Sequence, residues 1–424
     1  MTLTDLSDWL DEQSRKEALW FAKRLSANDT LANGTHQAGP YIPKNTLFTI
    51  FPALNRPEEE NPEVLFNMNV GSHGDHREIR AVWYNNKMRG GTRDEARLTG
   101  FGGRASPFLD PDNTGSLVLL VFPALADSSI PVCHAWVCRN ASEEDSIEEL
   151  VGPVEPGKGF LWSPALPVGR DLVVPPHQVR SRCWLVDHEI PPEWFRRFPS
   201  GAEIIRKTLE FRPLRGEVPD KRLLKRRECE YEIFQSVEEA VELPVIRRGF
   251  SSVSEFVDRA QSILQRRKSR SGKSLELHLK EIFLEGGLSE GREFSCQAES
   301  EPGKRPDFIF PSTEAYRDPF FPETQLRMLA AKTTCKDRWR QILNEADRIR
   351  TKHLLTLQEG VSENQFREMT DSGVRLVVPK GLHHAYPISV RSDLLSLEDF
   401  IRSLRFLGSN SRYGGESIAA EDES

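Results

Sequence analysis

The first 180 residues alternate short apolar segments with turn residues, a pattern typical of β-strands. Glycine and proline separate the apolar segments, which lie at residues 41–42, 64–70, 79–84, 117–122 and 132–137. This pattern indicates an all-β unit, a barrel or a sandwich. The acidic residues 142–150 predict a short helix with a solvated face. The acids of that face are Glu143, Glu144, Asp145, Glu148 and Glu149.

The pattern changes near residues 183–192. Proline pairs at 175–176 and 191–192 flank a stretch with little periodicity, which predicts a domain boundary. After it, apolar positions recur at helical spacing in residues 204–210, 222–242 and 252–267. We then predict helices at residues 274–285, 338–350, 363–372 and 396–406, and strands at residues 293–297, 307–310, 327–333, 353–357 and 374–378.

These patterns predict a two-domain α+β protein. We expect a β domain at residues 1–182, a proline-rich linker at 183–192 and an α/β domain at 193–408. Residues 409–424 are rich in glycine and serine and then acidic, which predicts a disordered tail.

Composition narrows the class of protein. The 424 residues are 38% hydrophobic, enough for sizeable cores, and the net charge of −7 excludes a uniformly basic coat but not local basic patches. The longest apolar run, residues 117–126, is interrupted by Pro123 and is too short to span a bilayer. The six cysteines form no CxxC pair. We therefore expect neither a zinc site nor a disulfide framework, and a cytoplasmic location.

One run of basic residues suits contact with a DNA backbone. Residues 266–273 contain five basic side chains and no acid: Arg266, Arg267, Lys268, Arg270 and Lys273. Basic side chains placed on phosphates release counterions, which favours binding. A solvated loop is the alternative interpretation of this run. Two weaker basic clusters lie at residues 89–104 and 332–340.

A candidate nuclease site begins at Asp307. An acid at the start of one strand can bind a divalent metal, and Lys332 on the next strand can orient water or stabilise developing negative charge. The second acid of such a site usually lies two residues before the lysine, where this chain has Ala330. Glu345, on the predicted following helix, can replace it, and Glu276 on the helix before the sheet is a further acid.

Four stretches of sequence resemble the EcoRII family of restriction endonucleases, which belongs to the PD-(D/E)xK nuclease superfamily. They are KRLSANDT at 23–30, RKSRSGKSLELHL at 267–279, KTTCKDRWRQILNEAD at 332–347 and SGVRLVVP at 372–379. The similarity spans about residues 20–406. It implies a type IIE enzyme with an N-terminal effector-DNA-binding pseudobarrel. It also implies a C-terminal α/β restriction-endonuclease-like domain with a central mixed sheet, which forms a homodimer.

The resemblance also implies an activity. This is Mg²⁺-dependent cleavage of double-stranded DNA at 5′-CC(A/T)GG before the first C, inhibited by the N-terminal domain until a second copy of the site binds. Asp307, Lys332 and Glu345 match the catalytic residues, with Asp307 and Glu345 as metal ligands and Glu276 as an additional acid.

The resemblance further assigns two DNA-reading sets. Lys336, Asp337 and Arg338 match the segment that reads the CC:GG bases, and basic side chains do donate to guanine while carboxylates accept from cytosine. The matched effector-DNA contacts are His36, Tyr41, Arg93, Glu95 and Arg97. The chain departs from the family at Gly91 and Ala96, where relatives carry lysine, so phosphate charge is lost there.

Alternative hypotheses remain at this point. Tyr316 is another candidate nucleophile, by analogy with recombinases, although a metal site explains hydrolysis without it. The chain could instead be a DNA-binding regulator that keeps the folds without the chemistry, or a repair nuclease of the same fold. The joint presence of Asp307, Lys332 and Glu345 argues against the regulator, and the base-reading segment argues against the repair enzyme.

Overall fold

The computed structural model describes residues 5–15, 17–34, 39–124, 130–163 and 183–413, with side chains to residue 405. His36 and residues 414–424 of the predicted tail lie outside the described residues. Within the described part of the chain, no helix combines the length and the apolarity that crossing a membrane requires.

The N-terminal domain is built on a seven-stranded mixed sheet. Its helices are α1 (Leu6–Ser14), α2 (Lys44–Ile50) and α3 (Ala141–Val151). Its strands are β1 (Ala18–Arg24), β2 (Glu63–Val70), β3 (Asp75–Tyr84), β4 (Glu95–Thr99), β5 (Leu117–Pro123), β6 (Val132–Val137) and β7 (Gly159–Trp162). The strand order is β4-β3-β2-β6-β5-β1-β7, and only β2 and β6 pair in parallel.

The central strands of this sheet are buried on both faces. Alternate residues of a strand point to opposite sides. In β5, Val118 and Leu120 enter one hydrophobic core, whereas Leu119 and Val121 enter another that contains α1 and α3. This explains why β5 is the longest apolar run of the chain. The predicted strand at residues 41–42 is reduced to a single bridge between Tyr41 and Arg97.

The C-terminal domain places a five-stranded mixed sheet between helices. Its helices are α4 (Pro192–Arg196), α5 (Gly201–Phe211), α6 (Pro219–Arg248), α7 (Val253–Glu285), α8 (Thr313–Arg317), α9 (Glu363–Asp371) and α10 (Leu397–Tyr413). Its strands are β8 (Ser295–Cys296), β9 (Phe308–Phe310), β10 (Arg327–Lys332), β11 (Lys352–Thr356) and β12 (Val374–Val377). In the order β12-β11-β10-β9-β8, the first three strands are parallel and the last two pair antiparallel. The predicted α+β organisation is thus confirmed.

One predicted helix is wrong. Residues 338–350 form a short 3₁₀-helix, Arg338–Asn344, followed by turns, and Ala346 has a left-handed backbone with φ of 49°. The ammonium of Lys352 donates to the carbonyl oxygens of Glu345 and Ala346 at 2.6 and 2.7 Å. Those carbonyls therefore bond to a side chain, whereas a continuing α-helix would bond them to its own backbone.

Further expectations need correction in the second half of the chain. Residues 266–273, for which a solvated loop was the alternative interpretation, are helical, because α7 is continuous. The segment 183–192, predicted as a linker, is not a free connection, since Cys183, Leu185 and Ile190 are buried in one core with α6. No disulfide was expected, yet Cys183 bonds to Cys229 across a Cα–Cα distance of 5.2 Å. Folding brings together two cysteines that are 46 residues apart in sequence. The start of the predicted tail, up to Tyr413, continues α10.

The acidic face predicted for α3 is also only partly solvated. Glu143 and Glu144 are buried, and Arg24 of β1 donates to Glu144 at 2.6 Å and to Glu148 at 2.8 Å. Arg24 is itself buried and donates to the carbonyl of Val154. The acids of α3 therefore anchor the helix to the sheet through a buried ion-pair cluster, and a charge pattern alone could not distinguish this from a solvated face.

Candidate active site

Sheet register places the two best candidate residues side by side. Strands β9 and β10 are antiparallel with Phe308 opposite Leu329, so Asp307, just before β9, falls next to the end of β10. One carboxylate oxygen of Asp307, Oδ2, accepts from the backbone N–H of Ala331 at 2.8 Å and from the ammonium of Lys332 at 3.3 Å. Asp307 is 5% exposed, so this end of β10 holds a nearly buried carboxylate in contact with a lysine.

Glu345 also reaches this end of the sheet, although it lies in a turn rather than on the predicted helix. Burial raises the pKa of Glu345 to about 7, with Lys332 opposing the shift and the charge of Asp307 adding to it. Oε2 of Glu345 is buried and, among the described residues, has no hydrogen-bond partner. The prediction that Glu345 stands near Asp307 and Lys332 is consistent with these couplings. The usual second-acid position, Ala330, is buried in the hydrophobic core.

Glu276 approaches Asp307 from α7. The side-chain amide of Gln297 donates to Glu276 Oε2 and to Asp307 Oδ1, each at 2.8 Å. Burial raises the pKa of Glu276 to about 7, the charge of Asp307 adds to the rise, and the Gln297 hydrogen bond opposes it. The carboxylates of Asp307, Glu276 and Glu345 therefore interact with one another. Lys332 and the amide of Gln297 reduce the repulsion among them. Sequence analysis missed Gln297 because a single glutamine belongs to no motif and only the β8–β9 pairing brings it here.

The predicted base-reading segment faces the N-terminal domain. Lys336 donates through Nζ to the hydroxyl of Ser116 and, at 3.4 Å, to the carbonyl of Cys138. Arg338 forms ion pairs with Asp145 at 3.1 Å and Glu148 at 3.6 Å, both on α3. These contacts cover two of the three predicted reading side chains with the other domain.

Hydrogen bonds from a buried side chain hold the backbone of the turn that carries this segment. The third predicted reading residue, Asp337, is paired with a nearby arginine. The buried amide oxygen of Gln358 accepts from the backbone N–H groups of Cys335 and Lys336 at 2.9 and 3.1 Å. Asp337 pairs with Arg340 at 3.3 Å. The backbone that would present the three reading side chains is therefore defined before any DNA is bound.

The described effector candidates line a single cleft. Tyr41, Arg93, Glu95 and Arg97 border a cavity of about 1040 Å³ in the N-terminal domain, whereas His36 lies outside the described residues. Lys23 and Arg24 border the same cavity, and so does Glu359 of the C-terminal domain. Because most of the charged side chains are basic, the cleft suits a phosphate backbone.

Two family models match this chain. The model described as "Restriction endonuclease EcoRII, N-terminal" covers residues 14–165, and "EcoRII C terminal" covers residues 234–401. The type II restriction enzyme EcoRII of Escherichia coli is 46% identical over 408 residues, which is 95% of this chain and 98% of that enzyme. The chain belongs to the EcoRII family of type II restriction enzymes. It is therefore a site-specific deoxyribonuclease.

More distant proteins match parts of this EcoRII-family chain. The type II restriction enzyme SsoII of Shigella sonnei is 27% identical over 154 residues, covering 34% of this chain and 48% of SsoII. The solved structure of metal-depleted Ecl18kI in complex with uncleaved, modified DNA matches with a TM-score of 0.44 at 20% identity, covering 54% of this chain and 84% of Ecl18kI. The B3 domain of UbaLAI restriction endonuclease with cognate DNA matches with a TM-score of 0.26 at 20% identity, covering 38% and 98% of the two chains.

In this EcoRII-family enzyme, Tyr316 is not placed as a nucleophile. Its ring is buried in the core on one face of the sheet, and its hydroxyl donates to Glu301. Burial and the bond to Glu301 raise the pKa of Tyr316. The hydroxyl also accepts from the backbone N–H of Arg348 at 3.2 Å, so it is engaged in structure and held in its neutral form.

Most of the basic run on α7 is committed to ion pairs within the protein. The partners are Glu242 for Arg266, Glu238 for Arg267, Glu149 for Lys268, and Glu230 and Glu155 for Arg270. Arg270 is buried and bidentate to Glu230, which corrects its assignment as a DNA-backbone contact. Lys273 is exposed, so it can still reach a phosphate.

Proposed function

We propose that this enzyme hydrolyses duplex DNA at 5′-CC(A/T)GG, before the first C, in a Mg²⁺-dependent reaction. The observation that carries the proposal is the contact between Lys332 and Asp307 at the end of β10, and the electrostatic coupling of Glu345 to both residues supports it. Digestion of a sequenced plasmid with and without Mg²⁺, followed by mapping of the ends, tests it. Cleavage without Mg²⁺ or ends at a different sequence would contradict it.

The donor set fits a divalent cation. Mg²⁺ binds carboxylate oxygens and usually keeps several waters, so one or two protein carboxylates suffice. Among the described residues, no group of three or more His, Cys, Asp or Glu side chains is arranged to hold a metal. The unpartnered Oε2 of Glu345, and the burial that together with the charge of Asp307 raises the pKa values of Glu276 and Glu345, mark carboxylates whose charged form a cation would stabilise. Asp307 and Glu345 would hold the ion, with Glu276 beside them.

Different groups at this site would take different roles in the hydrolysis of the phosphodiester. When bound, Mg²⁺ supplies Lewis-acid stabilisation of charge on the scissile phosphate. Lys332 lies beside Asp307 and can hold the attacking water by a hydrogen bond or stabilise charge on the phosphate oxygen. Asp307 holds that ammonium in place, because its Oδ2 is itself fixed by the backbone of Ala331.

We assign DNA reading to Lys336, Asp337 and Arg338, with Lys273, Arg266, Arg267 and Lys268 of α7 as candidate backbone contacts. Arg266, Arg267 and Lys268 form ion pairs within the protein, so each can contact DNA only if a phosphate replaces its carboxylate partner. We further propose that the enzyme is a homodimer through its C-terminal domain, residues 193–408. Two copies of a reading segment on a two-fold axis would match the symmetry of the proposed DNA site.

Replacing Arg338 with alanine should weaken base discrimination rather than overall affinity. We expect a loss of about 1–3 kcal/mol at one G position, because a guanidinium donates two hydrogen bonds to guanine. Competition binding against single-base variants of the site measures this loss. Arg367→Ala is the matched control, since Arg367 is an exposed arginine on α9, outside the reading segment. An equal loss on every sequence would mean that Arg338 contacts phosphate only.

We also propose that the N-terminal domain, residues 1–182, is an effector-DNA-binding pseudobarrel that inhibits the enzyme. The two-faced burial of its sheet supports a curled, barrel-like shape. The ion pairs between Arg338 and α3 support inhibition, because a guanidinium bound to carboxylates cannot read guanine. A second DNA site bound in the cleft of Tyr41, Arg93, Glu95 and Arg97, with His36 as a further contact, would then favour an open state.

Glu359 of the C-terminal domain would couple DNA binding in the effector cleft to the separation of the two domains. The backbone N–H of Ala27 donates to the Glu359 carbonyl at 2.8 Å across the domain interface, and the Glu359 carboxylate borders the cleft. A DNA phosphate that enters the cleft meets this acid only while the domains are closed. DNA binding therefore favours separation of the domains, as a difference in affinity between two states requires.

The Glu359→Gln variant should bind effector duplex more tightly than the wild type. Removing one nearby negative charge should also make activation by the duplex less effective, because the closed state then tolerates DNA. Titration of a catalytically inactive full chain with fluorescent duplex measures the affinity. Exposed Glu363, replaced in the same way, serves as the control. Unchanged affinity for both variants would remove Glu359 from the effector site.

A further inference from the structure

Gln297 stands between two acids of the active site. Its Nε2 donates at 2.8 Å to Glu276 of α7 and at 2.8 Å to Asp307 before β9. An amide nitrogen carries two hydrogens, so each carboxylate receives one. Two carboxylates that approach the same group would otherwise repel one another.

The backbone at Gln297 is shaped to make this contact. Its φ is +52°, in the left-handed region that side chains with a Cβ rarely adopt. Its N–H donates to the carbonyl of Asp307 at 3.0 Å, so backbone and side chain both bond to the same aspartate. Unfavourable backbone conformations that persist at a site are held there by the surrounding contacts.

We propose that Gln297 is a positioning residue of the metal site, whose amide links Glu276 to Asp307 and fixes the plane in which Asp307 meets a divalent cation. The inference rests on the proposed metal-dependent function. With Oδ2 bonded to Ala331 and Lys332, and Oδ1 bonded to Gln297, the Asp307 carboxylate has a single orientation. A cation then binds a carboxylate that is already oriented, so little conformational entropy is lost in ordering this ligand.

Loss of the amide should weaken metal binding without unfolding the enzyme. Groups that orient a metal ligand typically contribute about 10–100-fold to metal affinity. Gln297→Met keeps the length of the side chain and removes both donors. Gln297→Gly removes the side chain and suits the positive φ, so it should fold at least as stably as the wild type.

The test measures Mn²⁺ binding to the full chain by the electron paramagnetic resonance of the free ion, beside thermal unfolding. We expect both variants to bind Mn²⁺ about 10–100-fold more weakly. The thermal midpoint should be unchanged for Gln297→Met and unchanged or higher for Gln297→Gly. A merely structural role would lower both quantities together. Cleavage should recover at high Mg²⁺ concentration.

Two controls separate the possible failures. Gln261→Met changes an exposed glutamine of α7, the helix that carries Glu276, and should bind Mn²⁺ as the wild type does. Asp307→Asn should abolish the site. Unchanged Mn²⁺ affinity in both Gln297 variants, with loss in Asp307→Asn, would overturn the role of Gln297 alone. Equal binding by Asp307→Asn and the wild type would overturn the proposed metal site, and this inference with it.

Discussion

Replacement of Asp307, Lys332 or Glu345 with alanine should abolish DNA cleavage and leave specific DNA binding measurable. Asp307 and Glu345 are the proposed ligands of the cation, so loss of either removes charge stabilisation at the phosphate. Lys332→Ala alone should lower kcat by at least about 10²–10³-fold, the usual effect of deleting a donor that stabilises transition-state charge. Single-turnover cleavage of a duplex with one site, at saturating Mg²⁺, measures these losses.

Asp347→Ala provides the matched control for Glu345→Ala. Asp347 lies two residues after Glu345, is 59% exposed and pairs with Lys304 at the surface. Its removal changes the same charge in the same turn and should leave cleavage near the wild-type rate. If Glu345→Ala cuts at the wild-type rate, the assignment of a displaced second acid to Glu345 is wrong.

DNA binding by these variants should not fall in parallel with cleavage. Removing Asp307 or Glu345 deletes a negative charge that faces the phosphate backbone, so binding in the absence of Mg²⁺ should stay the same or strengthen. Loss of binding together with loss of activity would indicate damage to the fold. Thermal unfolding of each variant distinguishes that outcome from a catalytic effect.

Much of the active site could be predicted because its parts are ordered along the chain. An acid before one strand and a lysine at the end of the next must come together once the strands pair, so Asp307 and Lys332 were predictable from spacing. The role of Glu345 stays a prediction, and the helix from which it was argued is wrong, since only a 3₁₀-helix forms there and it ends at Asn344. The ammonium of Lys352 stabilises the turn that replaces the helix by bonding to the carbonyl of Glu345. No local sequence pattern predicts such a bond between a strand and a preceding loop.

Contacts between the domains were beyond the reach of sequence patterns. The acids of α3 follow the pattern of a solvated face, yet Glu144 and Glu148 pair with Arg24 within the domain and Asp145 pairs with Arg338 across the interface. Arg270 occurs in a basic run like those that bind DNA, yet it is buried against acids from both domains. Charge runs carry no information about which opposite charges the fold will bring to them. Gln297 was missed because a single glutamine belongs to no sequence motif and only strand pairing brings it to the site.

Removal of the N-terminal domain should convert the enzyme from an effector-dependent nuclease into a constitutive one. A fragment of residues 183–424 keeps Leu185 in its core and keeps the bond between Cys183 and Cys229, whereas a start at Ile190 would lose Leu185 and that bond. Arg270 loses Glu155 but retains Glu230, so no unpaired charge is left buried. We expect the fragment to fold, dimerise and cleave a plasmid that carries one site.

The full chain should cleave the same plasmid poorly and be stimulated by short duplexes that contain the site.

A single charge reversal tests the interface without deleting a domain. Asp145→Lys places a lysine beside Arg338, which should destabilise the closed state by roughly 1 kcal/mol and raise unstimulated cleavage several-fold. Asp8→Lys makes the same charge change at an exposed position of α1 and should leave the rate unchanged. If the folded, dimeric fragment and Asp145→Lys are both no more active than the full chain, the N-terminal domain is a second anchor on DNA and not an inhibitor.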